Sequence, residues 1–179
     1  MDEATRLVLT NAVYFKGKWR RTFEAESTRP APFYAPSGER EALLMNQAGQ
    51  FEYAEDESVQ VMDMPYGGDS VKGLSMLVVL PKKKDGLGAV ESSVNETKLM
   101  EWISRLRDQK VRVFLPKFKL TESFSLNKPL TAMGMKDAFS PERADFSAMV
   151  SEDMSADERR LYISAVLHKA FVDVNEEGT

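Results

Sequence analysis

Two long strand-forming segments at opposite ends of the sequence constrain the fold more than any other feature. The first, "RLVLTNAVYF", occupies residues 6–15, and the second, "LYISAVLHKAFVDVN", occupies residues 161–175. Both are rich in branched and aromatic residues and are apolar at alternate positions, which is typical of β-strands. The chain is therefore expected to contain a sheet that uses both of its ends.

Each of these segments carries one polar side chain on its apolar face. The odd positions of the first segment are Leu7, Leu9, Asn11, Val13 and Phe15. The even positions of the second are His168, Ala170, Val172 and Val174. An unsatisfied buried polar group costs on the order of 1–3 kcal/mol. Asn11 and His168 are therefore predicted to bond to each other or to a shared network, which places the first and last strands in one sheet.

The region between the two segments predicts several shorter strands and two helices. Residues 74–81, "LSMLVVLP", are apolar throughout, which predicts a strand buried on both faces in a second sheet. Residues 95–106 predict a helix that Asn95 caps. Its apolar stripe is expected to consist of Leu99, Ile103 and Leu106.

Proline and glycine positions indicate where the later elements stop. Pro116 interrupts the strand-like run "VRVFLPKFKL", which predicts a bulge or an edge there. A short helix is expected over residues 126–133, with Pro129 near its start and Gly134 just beyond its end.

Composition excludes several classes of function. The 179 residues are 42% hydrophobic and 29% charged, which suits one globular domain or a large piece of one. A net charge of −4 gives no electrostatic footprint for nucleic acid or an anionic membrane. The absence of cysteine and the presence of one histidine exclude thiolate sites and a paired-histidine zinc motif. We expect no enzyme activity, cofactor or metal; the alternative is a hydrolase that uses His168 as its base.

Six motifs occur in order along the chain. They are "LVLTNAVYFKGKW" (7–19), "MDMPYGG" (62–68), "LSMLVVLP" (74–81), "VFLPKFKL" (113–120), "GMKDAFSPERADFSAM" (134–149) and "ISAVLHKAFVDVNEEGT" (163–179). They are distributed along essentially the whole chain, and together they resemble the second half of a serpin, up to the hinge of its reactive loop. The resemblance implies an α+β fold with a large central mixed or antiparallel sheet, a second buried sheet and peripheral helices. It also implies that residues 1–179 are part of a single domain whose N-terminal portion, reactive loop and C-terminal strands lie outside this chain.

The resemblance assigns the polar end of the sequence, otherwise read as small and flexible, to the reactive-loop hinge. The hinge residues are Glu176, Glu177, Gly178 and Thr179. Gly178 and Thr179 are small enough to enter a sheet, as an inserting loop requires. Lys117 and Glu176 resemble an ion pair that secures the hinge, although two solvated charges remain an alternative.

The resemblance assigns three further residues to the sheet that the loop enters. Asn11 and His168 resemble the shutter, a buried pair between two central strands. Trp19 resembles the tryptophan of the breach, where the loop first enters the sheet. Ordinary packing in the core remains an alternative for Trp19.

The implied function is suicide inhibition of serine proteases, with cysteine proteases as alternative targets. The protease attacks the loop and forms an acyl-enzyme, and the freed loop then inserts between the strands that carry Asn11 and His168. Such a fold is metastable and prone to polymerisation. The alternative is a non-inhibitory serpin that acts as a carrier or chaperone. No nucleic acid, membrane or cofactor is implied. The residues themselves indicate no compartment, whereas the family favours an extracellular one.

Overall fold

The computed structural model describes residues 7–12, 15–68, 71–151, 153, 155 and 160–179. Contacts divide the chain into two compact units, residues 1–14 with 120–171 and residues 15–119 with 172–179. The strands and α-helices of the described residues are β1 (Leu7–Ala12), β2 (Lys18–Trp19), β3 (Arg29–Ala35), β4 (Gly38–Glu55), β5 (Val59–Gly67), β6 (Ser75–Pro81), α1 (Leu87–Ser93), α2 (Glu96–Arg105), β7 (Arg107–Pro116), β8 (Phe118–Ser125), α3 (Asn127–Ala132) and β9 (Ile163–Val174). None of these helices is long and apolar enough to cross a membrane.

The first unit joins the two ends of the sequence in one sheet, as predicted. β1 pairs in parallel with β9, and the strand order is β1-β9-β8. Leu9 lies opposite Val166 and Asn11 lies opposite His168. The first strand was predicted to continue to Phe15; its described part is Leu7–Ala12, Phe15 is not in a strand, and residues 13 and 14 lie outside the described part of the chain.

The short helix α3 is anchored to β9 by one side chain. The Asn127 amide donates to the Ser164 carbonyl at 2.9 Å, and its oxygen accepts from the Val166 N–H at 2.8 Å. Gly134 follows with a φ of 109°, a left-handed conformation that glycine adopts without steric cost. The predicted helix over residues 126–133 is therefore confirmed to within a residue at each end.

The second unit contains a six-stranded sheet in which the described strand pairs are all antiparallel. The 18-residue β4 is its longest strand and pairs with β3, β7 and β5 along its length. Separate shorter strands were expected in this region. Polar residues such as Asn46 and Gln47 break the apolar alternation of β4, so the sequence pattern hides its continuity.

The strand β6 contacts apolar clusters on both of its faces. Met76 and Val78 pack against a large cluster that includes Trp19, whereas Leu77 and Val79 pack against a smaller cluster formed by Val59, Val61 and Trp102. The expectation of a strand buried on both faces is wrong in degree, because the residues of β6 that meet the two clusters are only half-buried and Leu80 is 54% exposed.

The helix α2 begins as predicted but buries a different residue. The Asn95 side chain accepts from the Lys98 N–H at 2.9 Å and caps the helix. The expected stripe is wrong for Leu99 and Ile103, which are exposed, whereas Leu106 packs against the cluster of the buried Trp102. The Trp102 indole covers more apolar surface than either aliphatic side chain, and its N–H reaches Asp56 at 3.3 Å.

Pro116 ends a strand of one sheet, and the next strand belongs to another sheet, whereas the sequence predicted a single strand with a bulge or an edge there. β7 ends at Pro116 in the six-stranded sheet, and β8 begins at Phe118 in the three-stranded sheet. Lys117 lies in the break, where its N–H donates to the Leu43 carbonyl at 2.8 Å. Lys117 therefore belongs to neither strand, and the alternation of side chains in β7 and β8 does not fix the direction of its side chain.

Candidate functional site

The polar end of the chain is folded into a tight turn that pairs with residues 17–19. The Asn175 side-chain oxygen accepts from the N–H groups of Glu177 and Gly178, at 2.9 and 3.3 Å. Thr179 then exchanges two backbone hydrogen bonds with Gly17, both of 2.9 Å. The backbone groups of this end therefore find hydrogen-bond partners within residues 17–19 and 175–179.

Trp19 is buried against this turn. Its side chain is 3% exposed, its indole N–H donates to the Asn175 carbonyl at 2.9 Å, and its backbone N–H donates to the Glu177 carbonyl at 2.8 Å. Trp19 is thus a core residue that also bonds to the segment predicted as the hinge, and its assignment to the breach stays a prediction.

Lys117 and Glu176 form an ion pair at the base of the turn. The Lys117 Nζ lies 2.7 Å from the Glu176 Oε2, and the Thr28 hydroxyl donates to the other carboxylate oxygen at 2.9 Å. The Glu176 side chain is 14% exposed and that of Lys117 is 37% exposed. The Lys117 ammonium, with a smaller contribution from Thr28, holds the pKa of the Glu176 carboxyl below its ordinary value of 4.5. The alternative of two separately solvated charges is excluded.

The four hinge residues differ in how tightly the structure holds them. Glu177 is exposed and is held through its backbone, whereas Gly178 is buried and forms an isolated antiparallel bridge with Lys18. Thr179 is half-buried, and its hydroxyl accepts from the Tyr66 hydroxyl at 3.1 Å. The last two residues of the chain are therefore its most closely packed hinge residues.

Asn11 and His168 are in contact across the parallel strands β1 and β9. They are register partners, and His168 Nδ1 lies 3.2 Å from Asn11 Oδ1. A histidine tautomer with its proton on Nδ1 donates to the amide oxygen at this distance. The Phe124 ring stacks near the imidazole, with centroids 6.4 Å apart.

The expected burial of this pair is wrong for the described residues. Asn11 is exposed and His168 is only half-buried, although Val174 on the same side of β9 is fully buried. Sequence periodicity determines which side chains share one face of a sheet, but that face is buried from solvent only where other elements pack against it. The exposure of Asn11 shows that no such layer covers it among the residues that the structure describes.

Sequence reasoning missed several residues that bond to the segment predicted as the hinge. They include Gly17, Phe23, Thr28, Tyr66 and Asn175. Gly17 and Tyr66 lie in the motifs "FKGKW" and "MPYGG", so their position near turns was visible. Their partners lie more than 100 residues away, and no local pattern indicates such contacts.

Comparison with known proteins identifies the family. A family model described as "Serpin (serine protease inhibitor)" matches residues 1–179. Antithrombin-III of Homo sapiens is 39% identical over all of this chain and 38% of its own length. Leukocyte elastase inhibitor A of Mus musculus is 40% identical over all of this chain and 47% of its own length. The chain belongs to the serpin family of serine protease inhibitors.

A solved structure supports the same fold. Reaction-loop-cleaved lamprey angiotensinogen matches with a TM-score of 0.76 and 34% identity, over 91% of this chain and 47% of that one. The architecture is thus the α+β serpin fold. The chain spans less than half the length of these relatives.

Proposed function

We propose that these residues belong to a serpin that traps serine proteases by inserting its cleaved reactive loop between β1 and β9. The observation that carries the proposal is the parallel pairing of β1 and β9, with a hinge placed directly after β9. The proposal treats residues 1–179 as part of one serpin domain in a longer protein, and the inhibitory activity as a property of that longer protein.

The direction of the strands explains why insertion would be favourable. A segment that leaves the end of β9, reverses and enters the sheet runs antiparallel to both β9 and β1. One parallel ladder would then be replaced by two antiparallel ladders, which are slightly more stable per residue. Gly178 already pairs with Lys18 in an antiparallel bridge, so the chain after β9 has reversed its direction relative to residues 17–19. The closed pair of strands is therefore the higher-energy arrangement once the loop is cut.

The site residues have different roles in this proposal. Asn11 and His168 act as the shutter, because their 3.2 Å contact must break before a strand can enter. Trp19 supports the hinge at the breach, and the Lys117–Glu176 ion pair secures it until the loop is cleaved. Gly178 and Thr179 are small and uncharged, so they can enter the sheet without burying an unpaired charge.

A non-inhibitory serpin, such as a carrier or chaperone, is the second candidate. Lamprey angiotensinogen, whose structure matches this chain, is not named as a protease inhibitor, and this supports the second candidate. The residues that follow Thr179 in the full-length protein distinguish the two. Small residues there permit insertion and inhibition, whereas bulky or charged residues oppose both.

The test is to mix a full-length serpin carrying these residues with trypsin-like, chymotrypsin-like and elastase-like proteases, and with a papain-like cysteine protease. Denaturing electrophoresis should show a covalent 1:1 complex with at least one serine protease. Thr179→Arg is the matched control, since it places a charge in the inserting segment and should convert the inhibitor into a cleaved substrate. Cleavage of the unmodified protein by every protease without a stable complex would favour the non-inhibitory candidate.

A further inference from the structure

An aromatic stack lies directly beneath the end of the hinge. The Tyr66 ring stacks on Trp19, with centroids 4.9 Å apart and an interplanar angle of 11°. Phe15 meets the other side of Tyr66 edge-on at 5.0 Å. Tyr66 is 5% exposed, and a buried phenol requires a hydrogen-bond partner. The described contacts give it one, the Thr179 hydroxyl at 3.1 Å.

Two facing glycines fix the position of Thr179 above this ring. A Cβ on Gly178 would lie 2.0 Å from the Gly17 carbonyl oxygen and 2.8 Å from the Lys18 Cα. A Cβ on Gly17 would lie 2.6 Å from a ring carbon of Tyr66. The facing backbone leaves room only for glycine at position 178, whereas at position 17 the Tyr66 ring occupies the space that a side chain would need. Thr179 therefore has little freedom to place its hydroxyl anywhere other than over Tyr66.

Loop insertion alone does not explain the hydroxyl of Thr179. A residue that enters a sheet must be uncharged and suited to a strand, and valine meets both requirements as well as threonine does. The hydroxyl adds a polar group that valine lacks. In the described structure that group is used in the closed state, where it accepts from Tyr66.

We propose that Tyr66 is a positioning residue that keeps the hinge closed through the Thr179 hydroxyl. Breaking this hydrogen bond is then one of the steps by which residues 178–179 leave Gly17. Tyr66 selects for a hydroxyl at position 179, so serine is accepted there and valine is not. The inference rests on the proposed function, because it assigns a step in the release of the same hinge.

The test measures backbone hydrogen exchange in a full-length serpin carrying these residues. The reporter is the Gly17 N–H, which donates to the Thr179 carbonyl and is not itself substituted. Tyr66→Phe keeps the ring stack and removes only the hydroxyl. We expect it to increase exchange at Gly17 about five- to tenfold, as for the loss of one hydrogen bond. Thr179→Val should have the same effect, and Thr179→Ser should leave exchange unchanged.

The double variant distinguishes a direct partnership from general loosening. Tyr66→Phe combined with Thr179→Val should increase exchange no more than either change alone, because both remove the same bond. Arg20 is the internal control, since its N–H donates to the Pro65 carbonyl beside Tyr66 and should keep its exchange rate. Tyr53→Phe is the matched control variant, because that hydroxyl bonds Glu55 in the same sheet and not the hinge.

Three results would overturn the inference: unchanged exchange at Gly17 in Tyr66→Phe, additive effects in the double variant, or an equal increase at Arg20. Protease-complex formation is measured separately on the same proteins. A Tyr66 effect without any covalent complex would retain this inference and reject the proposed inhibitory function. A covalent complex that forms although Tyr66→Phe leaves exchange at Gly17 unchanged would support the proposed inhibitory function and reject this inference.

Discussion

Exchanging the charges of Lys117 and Glu176 tests whether their ion pair holds the hinge. The charged atoms are 2.7 Å apart, but only the Glu176 side chain is well covered, at 14% exposure against 37% for Lys117. Breaking a fully buried pair costs about 3–5 kcal/mol, whereas an exposed pair contributes about 1 kcal/mol or less. For this intermediate case we expect Glu176→Lys to destabilise the closed hinge by about 2 kcal/mol in a full-length serpin carrying these residues.

The assay measures the rate of polymer formation, because the proposed native state is metastable and such a state has no simple unfolding equilibrium. Loop–sheet polymer formation is followed by native electrophoresis at a fixed elevated temperature. If the entire destabilisation of the closed hinge lowers the activation barrier to hinge opening, about 2 kcal/mol accelerates polymer formation about 30-fold. Lys117→Glu alone should act in the same direction, and the double exchange should recover part of the loss, with a coupling energy of at least about 1 kcal/mol.

The neighbouring ion pair between Lys119 and Asp173 provides a matched control. Its charged atoms are 2.9 Å apart, but Lys119 is 69% exposed and Asp173 lies in β9 before the hinge. The same cycle at this pair should give a smaller coupling energy than the cycle at Lys117 and Glu176, because solvent screens the exposed Lys119 ammonium. A coupling energy at Lys117 and Glu176 that is near zero, or no larger than that of the control, would show that the ion pair does not hold the hinge.

Three further perturbations test other parts of the site. His168→Ala should accelerate polymer formation about two- to tenfold through loss of one hydrogen bond, and an unchanged rate would contradict the shutter role. Gly178→Ala should displace the hinge from Gly17, because the added Cβ would lie 2.0 Å from a carbonyl oxygen; full protection of the Gly17 N–H in that variant would refute the steric argument. The lowered pKa of Glu176 means that its stabilisation is present above pH 4.5 and is lost as the pH falls through the lower folded value, so acid should accelerate hinge opening. Glu176→Gln should lack this acid response, and an identical pH profile in that variant would contradict the assignment.

The sequence predicted the parts of the fold that depend on periodicity and on turn residues. The alternation of side chains correctly predicted that Asn11 and His168 lie on the same face of one sheet, because the side-chain period of a strand is two. The cap at Asn95 and the break at Pro116 follow from local backbone chemistry, which a neighbouring layer cannot change.

Features that depend on distant partners could not be predicted from the sequence. The burial of Trp102 in place of Leu99 and Ile103 depends on which side of α2 meets the sheet. The continuity of β4 through its polar residues depends on three pairing strands. Tyr66 acquires a role only because residue 179 lies over it, at a separation of 113 residues.

The distance between β1 and β9 after loop cleavage tests the central claim most directly. A crystal structure of the full-length protein, cleaved in its reactive loop by a protease that it does not trap, supplies the measurement. If the loop inserts, the strands move from one strand spacing of about 4.8 Å to two spacings of about 9.6 Å. The 3.2 Å contact between Asn11 and His168 must then be broken. Cleaved protein in which β1 and β9 remain direct neighbours, with that contact intact, would contradict the proposed mechanism.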